Sequence, residues 1–469
     1  MIDILFIHIG KHTSREVSLL IQPMGLFALA NWVEQFGFKS CIINYSLEKI
    51  LNPNFSLTET IKKLSPGVLA FSLHWHPQSF SVIENIKTIK KFTPEVIIVI
   101  GGFTATYFAK ELMEGFSEID FLIRGDAELP LGLLLGELKK AKKDFSKIPN
   151  LVWREDNKII LNSFTYKIDL TQAEKLCFTN LSIMPQYSLY LRTLWNSPLK
   201  LHPKFLKNRE SVFFYNPGRG CRVNCSFCGG GSFAEQLLAR RKEPVFFPVK
   251  TVVKEFKQLA KQGVERVYIS FDPIPLSTSY YLELFKELAP LKLPLKLTYE
   301  CWGLPGEEFI KTASYTFSEV TLILSPECAG ESLRKFNKGY FYSNNELRDT
   351  LKIMDKWKVR SELYFTLGLP GETSFEREKT LQFYKKFTET KCSAVYLLPI
   401  ELEPASPMFL NPGRFKINKK RHKFVDFYKA HQDEKEKLGY SSMYQSEEEI
   451  LSAFHRQFWF KLEKQEGKN

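Results

Sequence analysis

The amino-acid sequence predicts an α/β protein in two unlike halves: a doubly wound parallel sheet, then a partial barrel of β/α units, closed by a helical tail. Three observations carry this. Short apolar, β-branched runs alternate with helical patterns in two series, one before residue 150 and one after about residue 210, as in parallel sheets covered on both faces. At 469 residues the chain exceeds what one hydrophobic core supports. Finally, "GRGCRVNCSFCGGG" at residues 218–231 places three of the eight cysteines directly after the first strand of the second series.

In the first series the strands are "DILFIHI", "FKSCIINYS", "GVLAFSL", "EVIIVIGG" and "IDFLIRGD". Between them lie "PMGLFALANWVEQFG", "QSFSVIENIKTIKKF", "TATYFAKELMEG" and "AELPLGLLLGELKKAKK", which read as helices. Five such units give a flavodoxin-like domain over residues 1–150, whose ligand lies beyond the carboxyl ends of its strands. Those ends are His8–Lys11, Ser72–His76, Gly101–Thr104 and Arg124–Glu128. Residues 151–205 read as a linker: "LVWREDNKIILNS" has the pattern of a small hairpin, and "NSPLKLHPKFLKNRE" leads out of it.

The second series, "SVFFYNPG", "VERVYISFDP", "LPLKLTYEC", "EVTLILSPE", "RSELYFTLG" and "SAVYLLPIE", has helical stretches such as "VKTVVKEFKQLAKQG" between its strands. Six units over residues 206–410 suit a partial TIM-type (β/α)6 barrel better than a closed one of eight. Residues 411–469 form the helical, charged tail. Composition (44% hydrophobic, 25% charged) is that of a soluble globular protein. There is no spanning apolar run, and "MIDILFIHIG" lacks the features of a signal peptide, so a cytoplasmic location is expected. The net charge of +13 reads as a solvated surface or as attraction to acidic partners.

Cys221, Cys225 and Cys228 stand apart from the five cysteines scattered singly elsewhere. A disulfide would leave an odd thiol, and a structural zinc needs a fourth ligand that no second cysteine pair supplies. Three thiolates on one tight loop suit a 4Fe-4S cubane with one iron free of protein ligands. Gly229, Gly230 and Gly231 either let backbone approach a ligand closely or form the turn into "SFAEQLLARR".

CxxxCxxC with Phe227 before its last cysteine resembles the signature of the radical S-adenosylmethionine (SAM) superfamily. "LSPECAGESLRKFNKGY" resembles its fourth-strand segment and "GLPGET" its fifth-strand glycine motif. "PMGLFALANWVEQFG", "IGGFTA" and "IDFLIRGDAE" resemble the cobalamin-binding domain that precedes many members. The resemblance implies a 4Fe-4S cluster on the three cysteines, SAM chelated by its open iron, and cobalamin on the first domain. It further implies roles in cofactor binding for Phe227, the three glycines, Asp272, Ser325, Glu327, Gly368 and Gly371. Glu327 reads alternatively as a carboxylate at a helix N-terminus, and "LPGET", with Glu372, as a turn with its cap.

The DxHxxG motif, whose histidine binds cobalt from below, is absent from both "HIGKHTSRE" and "SLHWHPQ". Either the cobalt is held without a lower histidine, or the domain has lost cobalamin. Ser72, His74, Gly101 and Gly102 could line the corrin, with His76 alongside; the glycines equally suit a tight turn. Asp126 and Glu128 could meet the corrin amides or cap the following helix. The resemblance implies a methyltransferase that moves a methyl group through methylcobalamin to an unactivated carbon or phosphorus centre. An acidic electron donor such as flavodoxin or ferredoxin is the expected partner, and nucleic acid is not. Cyclisation or rearrangement without methyl transfer is the alternative chemistry, and a cobalamin sensor with a structural cluster the alternative class.

Overall fold

The computed structural model describes residues 2–12, 17–18, 21–193, 206, 208–388, 392–432 and 437–466, with side chains to 457. Most of "NSPLKLHPKFLKNRE" lies outside these residues. The first sheet has seven strands: β1 (Ile4–His8), β2 (Ser40–Asn44), β3 (Val68–Ser72), β4 (Ile97–Gly101), β5 (Phe121–Ile123), β6 (Leu151–Glu155) and β7 (Lys158–Leu161), ordered β2-β1-β3-β4-β5-β6-β7. The first five pair in parallel. All residues of β1 and β3 are buried, which explains why they read as unbroken apolar runs rather than as an alternation. Helices α1 (Gly25–Glu34), α2 (Ser79–Phe92) and α3 (Glu128–Leu138) are among those that cover the sheet. The hairpin expected in the linker forms, but it joins this sheet: β6 runs antiparallel to β5 and β7 antiparallel to β6. The first sheet therefore continues past residue 150.

The second sheet consists of β8 (Val212–Phe214), β9 (Arg266–Ile269), β10 (Lys296–Cys301), β11 (Val320–Glu327), β12 (Arg360–Leu367) and β13 (Ala394–Pro399). They pair in parallel and in chain order, the arrangement of a curled half-barrel. Its outer face packs under helices that include α5 (Val249–Lys261), α6 (Leu276–Leu288), α7 (Glu307–Thr316), α8 (Glu331–Asn337), α9 (Asn344–Lys356) and α10 (Ser374–Thr388), whereas α4 (Ser232–Ala239) packs on Phe103 and Tyr107 of the first domain. The inner face forms a separate small core of Val212, Tyr268 and Ile323 with Phe214 and Tyr364. By strand alternation, Ser270, Glu300, Ser325 and Thr366 continue this face toward the carboxyl ends of the strands. Aromatics thus plug the lower barrel and polar groups line its mouth.

The tail holds α11 (Phe424–Ala430) and α12 (Glu447–Glu466), plus a short antiparallel ladder, Ile417–Lys419 with Tyr440–Ser442. It touches both halves. Phe424 and Phe427 pack on Phe108 of the first domain, while the Tyr440 hydroxyl donates to the Gly368 carbonyl at 2.5 Å. No helix among the described residues is long and apolar enough to cross a membrane.

Candidate active site

The cysteine loop leaves the carboxyl end of β8, and its folding is dictated by bonds to distant segments. Gly218–Arg219 pairs with Val245–Phe246 at the loop entrance. The Ser226 N–H donates to the Asn337 carbonyl at 2.7 Å, and its hydroxyl bonds the Asn337 side chain at 2.5 Å. The Asn337 amide then donates to the Pro370 carbonyl at 2.9 Å, joining the loop to the "GLPGET" turn. At the loop exit Asn224 caps α4 by accepting from the Phe233 N–H at 2.7 Å.

All three loop cysteines are free and half-buried. Among the described residues their Sγ atoms do not gather within 4.8 Å of one another. Three thiolates on one loop are the ligand set of a 4Fe-4S cubane that leaves one iron to another ligand. Each sulfur accepts a backbone N–H: Cys221 from Val223 at 3.4 Å, Cys225 from Gly339 at 3.3 Å and Cys228 from Gly230 at 3.3 Å. Such bonds favour sulfur carrying negative charge. Burial pushes the Cys221 thiol up to about 11 and raises Cys225 and Cys228 as well. Thiolate here therefore needs a bound cation beside it.

The three glycines are not equivalent. A Cβ on Gly229 would meet the Pro404 carbonyl at 2.5 Å, and one on Gly231 the Val223 carbonyl at 2.9 Å. Gly230 has only the Cys228 sulfur nearby, at 3.8 Å. The chain itself needs two of these glycines, and only Gly230 leaves room for a ligand. Phe227 is half-buried and packs on the main core.

At the end of β11, Glu327 adopts a left-handed φ of 62° and pairs with Lys338 at 2.9 Å; both are buried. Burial opposes the Lys338 charge, but Glu327 outweighs it and the ammonium is stabilised. The pair stands beside Cys225, whose thiol both residues influence. Ser325 is part-exposed on the inner face. Asp272 lies deeper: its carboxylate accepts from the Ser277 hydroxyl at 2.5 Å and the Trp302 N–H at 2.8 Å, tying the end of β9 to β10. Gly368 and Gly371 both hold positive φ, 85° and 84°. A Cβ on Gly368 would strike the Tyr440 hydroxyl at 2.6 Å, so the tail covers this turn. Glu372 accepts from the Gly368 N–H at 2.7 Å, and burial pushes its carboxyl up to about 7.

Three functional candidates escaped sequence reasoning: Asn337, Glu403 and Glu300. Glu403 accepts from the Gly229 N–H at 2.6 Å, and burial raises its carboxyl to about 7. Glu300 sits at the barrel mouth, where the Tyr268 and Ser270 hydroxyls donate to it and burial raises its pKa. The available signal was an acid interrupting an apolar strand end, as in "LTYEC" and "LPIELEP".

In the first domain the residues that follow β5 meet the flanks of this loop. Ser72, the last residue of β3, is buried. The His74 ring stacks on Phe103 with centroids 4.9 Å apart, and burial lowers its pKa to about 4, leaving it neutral. Gly101 ends β4, and Gly102 has φ 113° where a Cβ would hit the Leu73 carbonyl at 2.6 Å. Gly102 serves the close approach of two strand ends, while a Cβ on Gly101 would come no nearer than 3.4 Å to the Ile123 carbonyl. His76 turns toward the tail and bonds His431 at 3.0 Å.

Neither Asp126 nor Glu128 makes a side-chain cap on α3, and both meet arginines from beyond the first domain. Asp126 bonds Arg219 at 2.9 Å and Arg241 at 2.7 Å, and Glu128 bonds Arg219 at 2.5 Å. Arg241 also holds Glu235 at 2.5 Å. Burial opposes ionisation of Asp126, but Arg219 and Arg241 outweigh it and keep its carboxyl below the usual range. The two arginines flank the cysteine loop, and their charge needs the acids that the first domain supplies.

Comparison with known proteins agrees with this architecture. Residues 11–135 match the B12 binding domain family and residues 215–384 the Radical SAM superfamily. The chain thus belongs to the radical SAM enzymes that carry a B12-binding domain, and these domains bring a 4Fe-4S cluster, SAM and cobalamin as cofactors.

More particularly, it is 24% identical over 301 residues to the cytidylyl-2-hydroxyethylphosphonate methyltransferase of Streptomyces wedmorensis, covering 58% of this chain and 55% of that one. It is 23% identical over 394 residues to the anaerobic magnesium-protoporphyrin IX monomethyl ester cyclase of Cereibacter sphaeroides, covering 80% of this chain and 58% of that one. The chain therefore spans little more than half the length of either curated relative. Its fold is shared with the radical SAM methyltransferase TsrM of Kitasatospora setae, solved with cobalamin and a [4Fe-4S] cluster bound. The TM-score is 0.66 at 16% identity, over 90% of this chain and 77% of that one.

Proposed function

We propose that this enzyme is a cobalamin-dependent methyltransferase that delivers a methyl group to an unactivated carbon. The observation that carries this reading is the ion network of Asp126, Glu128, Arg219 and Arg241, which binds the strand ends of the first domain to both flanks of the cysteine loop. A methyl carrier on the first domain would then face a substrate held at the barrel mouth. When bound, the cluster, SAM and cobalamin supply radical generation and the methyl group.

The chain's own residues hold, orient and seclude. Cys221, Cys225 and Cys228 would hold the cluster, and their sulfurs already accept three backbone N–H bonds. Gly230 would admit the methionine end of SAM, and Glu403 fixes the Gly229 N–H beside it. Ser325, Glu300 and Ser270 would present polar groups to the substrate above an aromatic floor of Phe214, Tyr268 and Tyr364. Excluding water from this mouth protects a reactive radical and sharpens positioning. A reductant, with acidic character matching the basic chain, would supply the electron.

Cyclisation without methyl transfer is the second reading, favoured by the longer match to the cyclase, which covers 80% of this chain. The test is anaerobic reconstitution followed by reaction with SAM and dithionite. The wild type is expected to release 5′-deoxyadenosine, and the C221A/C225A/C228A variant to bind no cluster iron and release none. Cleavage by the triple variant would refute the site. With candidate substrates, a product heavier by one methyl supports transfer, and an isomeric or dehydrogenated product supports cyclisation.

A further inference from the structure

Outside the candidate active site, His76, Glu401 and His431 come together from three remote segments. His76 opens the turn after β3, Glu401 lies two residues beyond β13, and His431 follows α11. His76 Nδ1 and His431 Nε2 stand 3.0 Å apart, and Glu401 Oε1 is 3.9 Å from the first and 3.7 Å from the second. Both histidines are at most 5% exposed, whereas the Glu401 side chain is 33% exposed.

We propose that these residues form a binding site for a divalent transition metal of the zinc type, distinct from the three cysteines of the loop. A metal bonded at ~2.0–2.1 Å to two imidazoles and a carboxylate sets its donors roughly 3.0–3.4 Å apart. The nitrogen pair already meets that distance, and the half-exposed carboxylate reaches it by a shift of about half an ångström. In the 3.0 Å contact one of the two facing nitrogens carries the hydrogen, and a shift of that ring to its other tautomer turns both lone pairs toward a metal. Behind the carboxylate, Arg421 donates to Glu401 Oε1 at 2.8 Å, the kind of outer hydrogen bond that fixes a ligating acid. Phe427 packs on the His76 ring with centroids 5.2 Å apart and fixes its plane. Arg421 already balances the single acid, which disfavours hard ions held by charge and selects a borderline metal held by neutral nitrogen.

Two imidazoles and one carboxylate leave a fourth position open toward the exposed side of Glu401. The metal would bind the first domain to the tail, across segments 355 residues apart. This inference does not rest on the methyltransferase reading.

The probe is Zn2+ added anaerobically to enzyme already loaded with cluster and corrin, followed by desalting and elemental analysis. The wild type is expected to retain one zinc per chain in addition to its cluster iron, with X-ray absorption showing only nitrogen and oxygen ligands near ~2.0–2.1 Å and no sulfur near ~2.3 Å. H76A and H431A should lose the zinc, and E401Q should weaken it at least tenfold. H431Q tests the same ligand should H431A misfold. The C221A/C225A/C228A variant should keep the zinc, so failure of the cluster assignment would leave this result intact. Zinc retained equally by H431A and H431Q, sulfur in the zinc shell, or no zinc retained by the wild type would overturn the proposal and leave an imidazole–imidazole hydrogen bond as the role of the pair.

Discussion

The strand ends of the first domain and the cysteine loop of the barrel, joined through Asp126, Glu128 and the arginines, use the same residue types in opposite ways. At the first, Gly102 is demanded by the backbone of Leu73, and Asp126 and Glu128 are engaged by arginines. In the loop, three thiols remain free and Gly230 has open space beside it. Polar and glycine residues at the first domain's edge thus assemble the interface, whereas the loop keeps its chemistry for what binds. The contrast lies in the kind of partner: oppositely charged side chains at the first domain's edge, backbone N–H groups at the loop sulfurs.

The sharpest way to break this contrast is Asp126→Ala. It leaves Arg241 with Glu235 alone and takes one acid from Arg219, both within a buried network. Removing one partner of a buried charge network costs about 3–5 kcal/mol. Urea unfolding should record a loss of that size, accompanied by weaker SAM cleavage because Arg219 precedes Cys221 by two positions. A variant of wild-type stability would mean that water or corrin, not the arginines, satisfies Asp126.

A paired test separates the two kinds of glycine. Gly102→Ala places a methyl 2.6 Å from a backbone oxygen at φ 113° and should cost about 2–4 kcal/mol of stability. Gly230→Ala meets nothing closer than 3.8 Å and should stay within about 0.5 kcal/mol of wild type. Its expected defect is functional, with SAM cleavage lowered at least tenfold. A fully active Gly230→Ala enzyme would assign that glycine to the turn alone.

What was legible in the sequence was local. β1 and β3 are unbroken apolar runs because both faces are covered, and the cysteine spacing is confined to eight residues. The hairpin was also visible, but its docking on β5 was not, since edge pairing leaves no mark on the hairpin's own alternation. The remainder depends on contacts between remote segments. Asp126 meets Arg241 from 115 positions away, and Gly229 meets Glu403 from 174. No periodicity or motif spans such distances, so the sequence shows neither the arginine partners of Asp126 and Glu128 nor the place of Glu403.

The "GLPGET" turn offers the finest division between the two behaviours, because its Glu372 is fully buried and its carboxyl is raised to about 7. One oxygen accepts from Gly368 and Gln445, which already places the turn with the protein-committed group. In the unfolded chain this carboxyl titrates near 4.5. The folded state therefore binds more protons than the unfolded state between about pH 4.5 and 7. Its stabilising contribution is complete below the lower value, declines as pH rises through the folded value, and is gone above it. Glu372→Gln mimics the protonated acid at every pH, so melting curves of variant and wild type should coincide near pH 5. They should separate by about 1–3 kcal/mol in the variant's favour at pH 8.5. Curves that coincide at both pH values would mean that the carboxyl ionises freely in the folded protein, and would move this turn to the side of the cysteine loop as a surface open to ligand.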